Sequence, residues 1–181
     1  MTTMKQSPNN TSTNEQKDGS FCIQCDINTV SPPKLDSIRN AAERGDTDAQ
    51  FILAEFYYKC YEESGGEVYL NEAVSWYQEA AGHGDPRAQF EIGWCYHEGR
   101  GVEEDLEKAV SWYKISAEQG YSEAQYWLGW CCQYGKGIRE NMEEAARWYS
   151  AAAKQGNVNA VEDLRDLGYD VSEYERMMNS Y

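Results

Sequence analysis

The sequence has no long apolar run and little positive charge. No segment reaches the roughly 18 consecutive apolar residues that a membrane-spanning helix needs, so we predict no such helix. Lysine and arginine number 16 against 31 aspartates and glutamates, which gives a formal net charge of −15. This balance disfavours nucleic acid and anionic membrane surfaces as partners, and it favours either a basic partner or simple solubility.

Residues and motifs suited to catalysis are equally scarce. The chain has 2 histidines, His83 and His97, and neither has a nucleophile or carboxylate at a spacing that indicates a catalytic triad. Phosphate-binding loops of the G-x-x-x-x-G-K-[ST] and G-x-G-x-x-G kinds are absent. The motifs "GRGV" (99–102) and "GKGI" (135–138) each join two predicted helices, so we interpret them as turns. We therefore predict a protein that is not an enzyme and binds no cofactor.

The first 33 residues lack the composition of a folded segment. Residues 1–20 contain no aromatic and almost no aliphatic side chain, so we predict a disordered polar tail over 1–33. The tail also lacks the apolar h-region of a secretory signal, which favours a cytoplasmic location. In that compartment the 6 cysteines are expected to be reduced thiols.

One cysteine pair in the tail has the spacing of a metal-binding motif. Cys22 and Cys25 form a C-x-x-C in "FCIQCD". Zinc needs four ligands, typically from two such pairs, and the chain has no second pair, so we predict no metal site. The alternative is a zinc- or thiol-dependent regulatory protein, with zinc shared between two chains or completed by His83 or Cys60.

From Lys34 onward the chain repeats itself with a period of 36 to 39 residues. Ala-Gln recurs at 49–50, 88–89 and 124–125, and Trp-Tyr recurs at 76–77, 112–113 and 148–149. Within the middle unit, Ala88, Ile92, Cys95 and Tyr96 follow the i, i+4, i+7, i+8 spacing of a helix with one buried face. A second helix is predicted from Leu106 to Gln119, so each unit is predicted to contain two helices.

These units resemble the Sel1-like repeat, a relative of the tetratricopeptide repeat that is built from two antiparallel helices. In the middle unit the matching residues are Ala88, Ile92, Gly93, Tyr96, Gly99, Gly101, Val102, Asp105, Lys108, Ala109, Trp112, Tyr113, Ala117 and Gly120. The third unit departs from the pattern at Cys132, where the family has tyrosine. The first unit is degenerate, since Ala54 replaces the helix glycine and its loop is longer.

The resemblance implies an all-α, right-handed α/α superhelical solenoid over residues 34–168, with about three full repeats and flanking half-repeats. The ends of a solenoid must be covered, so we expect a C-terminal capping helix over residues 169–181. Gly93 and Gly129 are explained by close approach of a facing helix. Trp112 and Trp148 recur at a repeat-defining position, and we interpret them as core residues.

Trp94 and Trp130 have no such structural role. Each lies two residues after a buried position, and therefore about 200° around the helix from the buried face. By resemblance to tetratricopeptide arrays, that side of the first helix lines a concave groove. The predicted partner-binding residues on it are Phe51, Glu55, Tyr58, Phe90, Glu91, Trp94, His97, Glu98, Tyr126, Trp127, Trp130 and Tyr134. The alternative is that a short solenoid curls tightly and these aromatic rings pack on one another.

Gathered aromatic residues in a groove are typical of a binding surface. We therefore predict a non-enzymatic interaction protein, favoured as a monomer, that holds a basic protein or peptide in this acidic, aromatic groove. Within that class the charge favours a bacterial cytoplasmic adaptor, or an immunity protein that neutralises a basic toxin.

Overall fold

The structure, a computed structural model, describes residues 32–178. The predicted tail up to residue 31, with Cys22 and Cys25, lies outside the described residues. Between residues 32 and 178 all regular structure is helical, as predicted. The helices are α1 (Pro32–Glu43), α2 (Thr47–Ser64), α3 (Glu67–Gly82), α4 (Pro86–Glu98), α5 (Leu106–Glu118), α6 (Ser122–Tyr134), α7 (Met142–Ala153), α8 (Val158–Asp166) and α9 (Ser172–Met178). None of them is long and apolar enough to cross a membrane.

The helix boundaries follow from short polar residues at the starts and from glycine at the ends. The side chains of five residues accept hydrogen bonds from backbone N–H groups of the first helical turn, and these residues are Asp46, Asp85, Asp105, Asn141 and Asn157. The first helices α2, α4 and α6 end at glycines in the left-handed conformation. Helix α1 begins at Pro32, earlier than expected, because first-turn N–H groups have no helical partner and proline is tolerated there.

A tyrosine from each second helix fills the centre of each helix pair. Tyr77, Tyr113 and Tyr149 are at most 1% exposed. A Cβ added at Gly93 would lie 2.7 Å from ring atoms of Tyr113, and one at Gly129 would lie 2.8 Å from Tyr149. Close approach of the facing helix is therefore the reason for both glycines. The interpretation of the neighbouring tryptophans as core residues needs correction, because Trp112 and Trp148 are only half-buried and pack at the edge of the core.

The recurring Ala-Gln pair joins one repeat to the next. Each glutamine is buried, and its side-chain amide donates to the carbonyl of the residue eight positions earlier, near the end of the preceding second helix. These glutamines are Gln50, Gln89 and Gln125. The amide oxygens of Gln89 and Gln125 accept from Gln119 and Gln155 at 2.6 and 2.8 Å. The repeats are thus connected by a ladder of side-chain hydrogen bonds.

At the C-terminal end, α9 lies against the last repeats. Val171 is buried, and Tyr174 and Met178 pack against the core formed by α5 to α8. A salt bridge of 2.6 Å joins Arg165 of α8 to Glu175 of α9. The helix occupies the region in which a capping helix is expected.

Candidate protein-binding surface

The repeat period places α2, α4 and α6 side by side, with equivalent residues in neighbouring positions. Arg87 of α4 bonds Asp48 of α2 at 2.5 Å, and its guanidinium lies 4.3 Å from the Phe51 ring centroid. Between α4 and α6, the ring centroids of Trp94 and Trp127 are 4.7 Å apart. We call the surface formed by the off-core residues of α2, α4 and α6 the groove surface.

Five of the predicted binding residues form one connected group, which we call the aromatic cluster: Trp94, His97, Trp127, Trp130 and Tyr134. The His97 ring stacks on Trp94 at 5.4 Å and lies 5.6 Å from both Trp127 and Trp130. Tyr134 extends the cluster from Trp130 at 5.2 Å and is 53% exposed. The other four rings are half-buried. The rings therefore pack on one another, as the alternative interpretation expected, and still leave part of their surface exposed.

Below this cluster, the middle repeat contains two buried polar atoms without a hydrogen-bond partner in the described part of the chain. These are Nδ1 of His97 and the hydroxyl of Tyr113. In the flanking repeats the equivalent tyrosines donate, Tyr77 to Glu55 and Tyr149 to Gln133. Trp94 occupies the position equivalent to Glu55, and His97 occupies the position equivalent to Gln133, so the middle repeat has neither of these acceptors.

Glu55 and Tyr58 lie at the N-terminal end of the groove surface. They line a cavity of about 390 Å³, whose other lining residues are Leu35, Ile38, Ile52, Phe56, Lys59 and Glu62. Arg100 donates to the Tyr58 hydroxyl and lies 3.8 Å from Glu98. Two binding candidates, Tyr58 and Glu98, are thus connected to Arg100 in the turn after α4.

Glu91 lies half-buried between the two ends. Burial, followed by the charges of Glu55 and Glu123, raises the pKa of Glu91 to about 7. Within residues 32–178 none of these three carboxylates forms a salt bridge. The groove surface therefore carries three carboxylates that no salt bridge among residues 32–178 neutralises.

Three aromatic candidates combine structural contacts with partial exposure. Phe90 lies 5.6 Å from the rings of both Tyr113 and Tyr121. Tyr126 lies 5.7 Å from Tyr149, and burial, together with the nearby Asp163, raises the pKa of Tyr126 to about 12. Phe51 lies 5.9 Å from Tyr77. These contacts join the three rings to the packed interior, so only part of each ring lies on the groove surface.

Tyr121, at the start of α6, lies against Phe90 but was not among the predicted binding residues. The equivalent position in other repeats holds a capping residue, as at Asp46, Asp85 and Asn157, whereas Tyr121 makes no side-chain cap. An aromatic residue at a position that holds a capping residue in the other repeats is the sequence feature that could have indicated Tyr121.

The described residues show no metal site. No group of three or more histidine, cysteine, aspartate or glutamate side chains between residues 32 and 178 is arranged to hold a metal ion. His83 bonds Gln50 at 2.9 Å. Burial raises the pKa of Cys95 and Cys131 to about 12 and that of Cys132 to about 11, which makes these thiols poor nucleophiles.

Comparison with known proteins agrees with the repeat pattern. The family model described as "Sel1 repeat" matches three consecutive segments, 47–85, 86–121 and 122–157. No curated protein sequence matches the chain closely enough to be informative.

Solved structures support the same assignment. A Sel1 repeat protein from Oxalobacter formigenes is 39% identical, with a TM-score of 0.65, and the match covers 73% of this chain and 97% of that one. The protein c5321, a protective antigen present in uropathogenic Escherichia coli strains and displaying an SLR fold, is 34% identical with a TM-score of 0.69. That match covers 81% of this chain but only 33% of c5321. Cysteine rich protein B of Helicobacter pylori shares the fold at 20% identity and a TM-score of 0.56, covering 72% of this chain and 96% of that one. The predicted all-α solenoid is confirmed.

Proposed function

We propose that this chain, which belongs to the Sel1 repeat family, is a non-enzymatic interaction protein that holds a basic protein or peptide on its groove surface. Sel1 repeat proteins are generally protein–protein interaction modules. The aromatic cluster carries the proposal for this chain, because it places three tryptophans on adjacent helices with part of each ring exposed. Tryptophan and tyrosine are the residue types that most often dominate binding energy at interfaces.

The charge of the groove surface supports a basic partner. Glu55, Glu91 and Glu123 lie on three adjacent helices and are not neutralised by salt bridges among the described residues. With a net charge of −15, the whole protein attracts cationic surfaces and accelerates encounter with them.

Within this class we propose a monomeric bacterial adaptor, or an immunity protein that covers the basic active surface of a toxin. The net charge supports both roles. We place the protein in the cytoplasm, where Cys95, Cys131 and Cys132 would stay reduced.

The test begins with identification of the partner by affinity capture, followed by measurement of its Kd with purified proteins. Trp94→Ala and Tyr134→Ala are expected to raise the Kd at least roughly tenfold, because truncation of an interface anchor costs about 2–4 kcal/mol. Calorimetry or anisotropy gives the Kd, and thermal unfolding shows that each variant is folded.

Trp112→Ala is the matched control, since Trp112 is half-buried in a second helix away from the aromatic cluster. It is expected to lower the melting temperature with little change in the Kd of the folded protein. Tyr134→Ala provides a second test if Trp94→Ala does not fold, because the Tyr134 side chain is largely exposed. Unchanged affinity in both cluster variants would contradict the proposed function.

A further inference from the structure

The outer side of α2, at the N-terminal end of the array, exposes apolar surface. Ile52 is 46% exposed, and it lines the cavity of about 390 Å³ together with Leu35 and Ile38 of α1. The equivalent of Ile52 in the third repeat is Trp127, whose ring centroid lies 4.7 Å from that of Trp94 on the preceding first helix. In the described part of the chain no first helix precedes α2. The side of α2 that carries Ile52 therefore faces a place that a first helix occupies in the later repeats.

Helix α1 has the position of a second helix. It contacts the first helix that follows it, α2, as α3 contacts α4 and α5 contacts α6. The cavity lies between α1 and α2, and more than half of the side chains that line it are aliphatic or aromatic. Apolar surface of this kind gains stability when it is removed from water. A further segment with apolar side chains would complete this half-repeat.

The chain carries such a segment directly before α1. Residues 21–30, with the sequence FCIQCDINTV, contain six apolar side chains and a single charged one. Ile23, Ile27 and Val30 follow the i, i+4, i+7 spacing of one apolar helix face. The order of an apolar segment followed by a second helix is also the order within each complete repeat.

We propose that residues 21–30 dock in the cavity between α1 and α2 of the same chain, in the place that a first helix takes in the complete repeats. The segment ends just before α1, which begins at Pro32. Leu35, at the wall of the cavity, lies about 5 Å along that helix from Pro32. The segment therefore needs no long linker to reach the cavity.

Covalent attachment and charge both favour this occupant over a second copy of the chain. A segment that is tethered so closely acts at an effective concentration in the millimolar range. A second copy would bring another net charge of −15 toward this one. Because Glu55 and Tyr58 line the same cavity, the docked segment also covers the N-terminal end of the groove surface. The docking does not depend on the partner proposed above, but a partner that contacts these two residues must displace the segment.

Limited proteolysis of the full chain tests the docking. Phe21 is the first aromatic residue of the chain, so chymotrypsin cleavage after it releases a fragment that mass spectrometry identifies. Ile52→Asp is expected to accelerate this cleavage roughly tenfold or more, because cleavage of a docked segment follows the fraction that is undocked. The matched control is Val68→Asp, which places the same charge on a 71% exposed aliphatic position of α3 and is expected to change the rate by less than about twofold. Equal cleavage rates in the two variants would overturn the proposal.

A substitution within the segment covers the case in which Ile52→Asp does not fold. Because Ile27 precedes α1, Ile27→Asp changes no residue of the repeats, and it is expected to accelerate cleavage after Phe21 by a similar factor. Asn10→Asp, which lies before the segment, is the control and is expected to leave the rate unchanged. An unchanged rate in Ile27→Asp would contradict the docking.

Methyl NMR measures the contact directly. With labelled isoleucine methyl groups, we expect nuclear Overhauser effects that join Ile23 or Ile27 to Ile38 or Ile52, and their absence would overturn the proposal. Protection of Phe21 that is lost on dilution would mean that a second copy supplies the segment, and docking within one chain would be wrong. If Ile52→Asp weakened capture of a partner without changing cleavage, the cavity would belong to the partner and the proposal would fail.

Discussion

At the scale of single residues, Gly93 and Gly129 determine how closely the two helices of a repeat approach. Each glycine presents a bare backbone to the ring of a buried tyrosine, Tyr113 or Tyr149. The first repeat has Ala54 at the same position, and Ala54 and Tyr77 are both buried in one core cluster. The glycine therefore permits the close packing that the second and third repeats have adopted.

We expect Gly93→Ala to destabilise the protein by about 2 kcal/mol, because the new Cβ forces a fully buried ring to move. This cost exceeds the gain of about 1 kcal/mol that alanine brings to a helix. Urea unfolding measures the difference. Gly82→Ala is the control, since Gly82 lies in helix α3 with no atom within 4 Å of the added Cβ, and it is expected to be neutral or stabilising. An unchanged free energy of unfolding in Gly93→Ala would show that the Tyr113 ring can move at little cost.

The sequence predicted these glycines correctly but assigned the core aromatic residue less well. In each Trp-Tyr pair the recurrence of the tryptophan led to its interpretation as a core residue, whereas packing buries the tyrosine and leaves the tryptophan half-buried. The bond from Tyr77 to Glu55 and the burial of His97 among tryptophans were also beyond prediction. They depend on which neighbouring helix each side chain meets, and periodicity within one helix does not contain that information.

At the scale of helices, the glutamine ladder fixes each repeat to the one before it. Gln125 donates to the carbonyl of Ala117 at 3.2 Å and accepts from Gln155 at 2.8 Å. We expect Gln125→Leu to cost about 1–3 kcal/mol, because it removes two hydrogen bonds, one to the Ala117 carbonyl, which keeps only backbone donors, and one from the Gln155 amide. Denaturant unfolding measures the loss.

The control for the ladder is Gln78→Leu, at an exposed position of α3, which is expected to change stability by less than about 0.5 kcal/mol. Similar results for both substitutions would mean that the ladder contributes little. The sequence shows the recurrence of Ala-Gln but does not predict the hydrogen bond that each glutamine makes, because the carbonyl that accepts it belongs to a different helix. Helix boundaries were more predictable, since caps and terminal glycines act within a few residues of their own position.

At the scale of the whole molecule, helix α9 lies at the C-terminal end, where Tyr174 and Met178 pack against the core of the last repeats. Deletion of residues 170–181 removes the buried Val171 together with the contacts of Tyr174 and Met178. We expect a loss of about 2–4 kcal/mol in the free energy of unfolding, from the apolar area returned to water. Urea unfolding at a fixed pH measures it. Deletion of residues 179–181 alone, beyond α9, is the control and is expected to have no effect, whereas unchanged stability in the longer deletion would contradict a capping role.

Within residues 32–178, extensive contacts join only helices that follow one another along the chain. Mechanically, an array of this kind behaves as a spring, because small rotations at successive junctions add up along its length. The glutamine ladder connects the repeats at those junctions, so tension applied to the two ends of the array is distributed over the junctions. We therefore expect a partner that contacts several repeats to change the rotations at their junctions, and part of its binding free energy to be used in deforming the array.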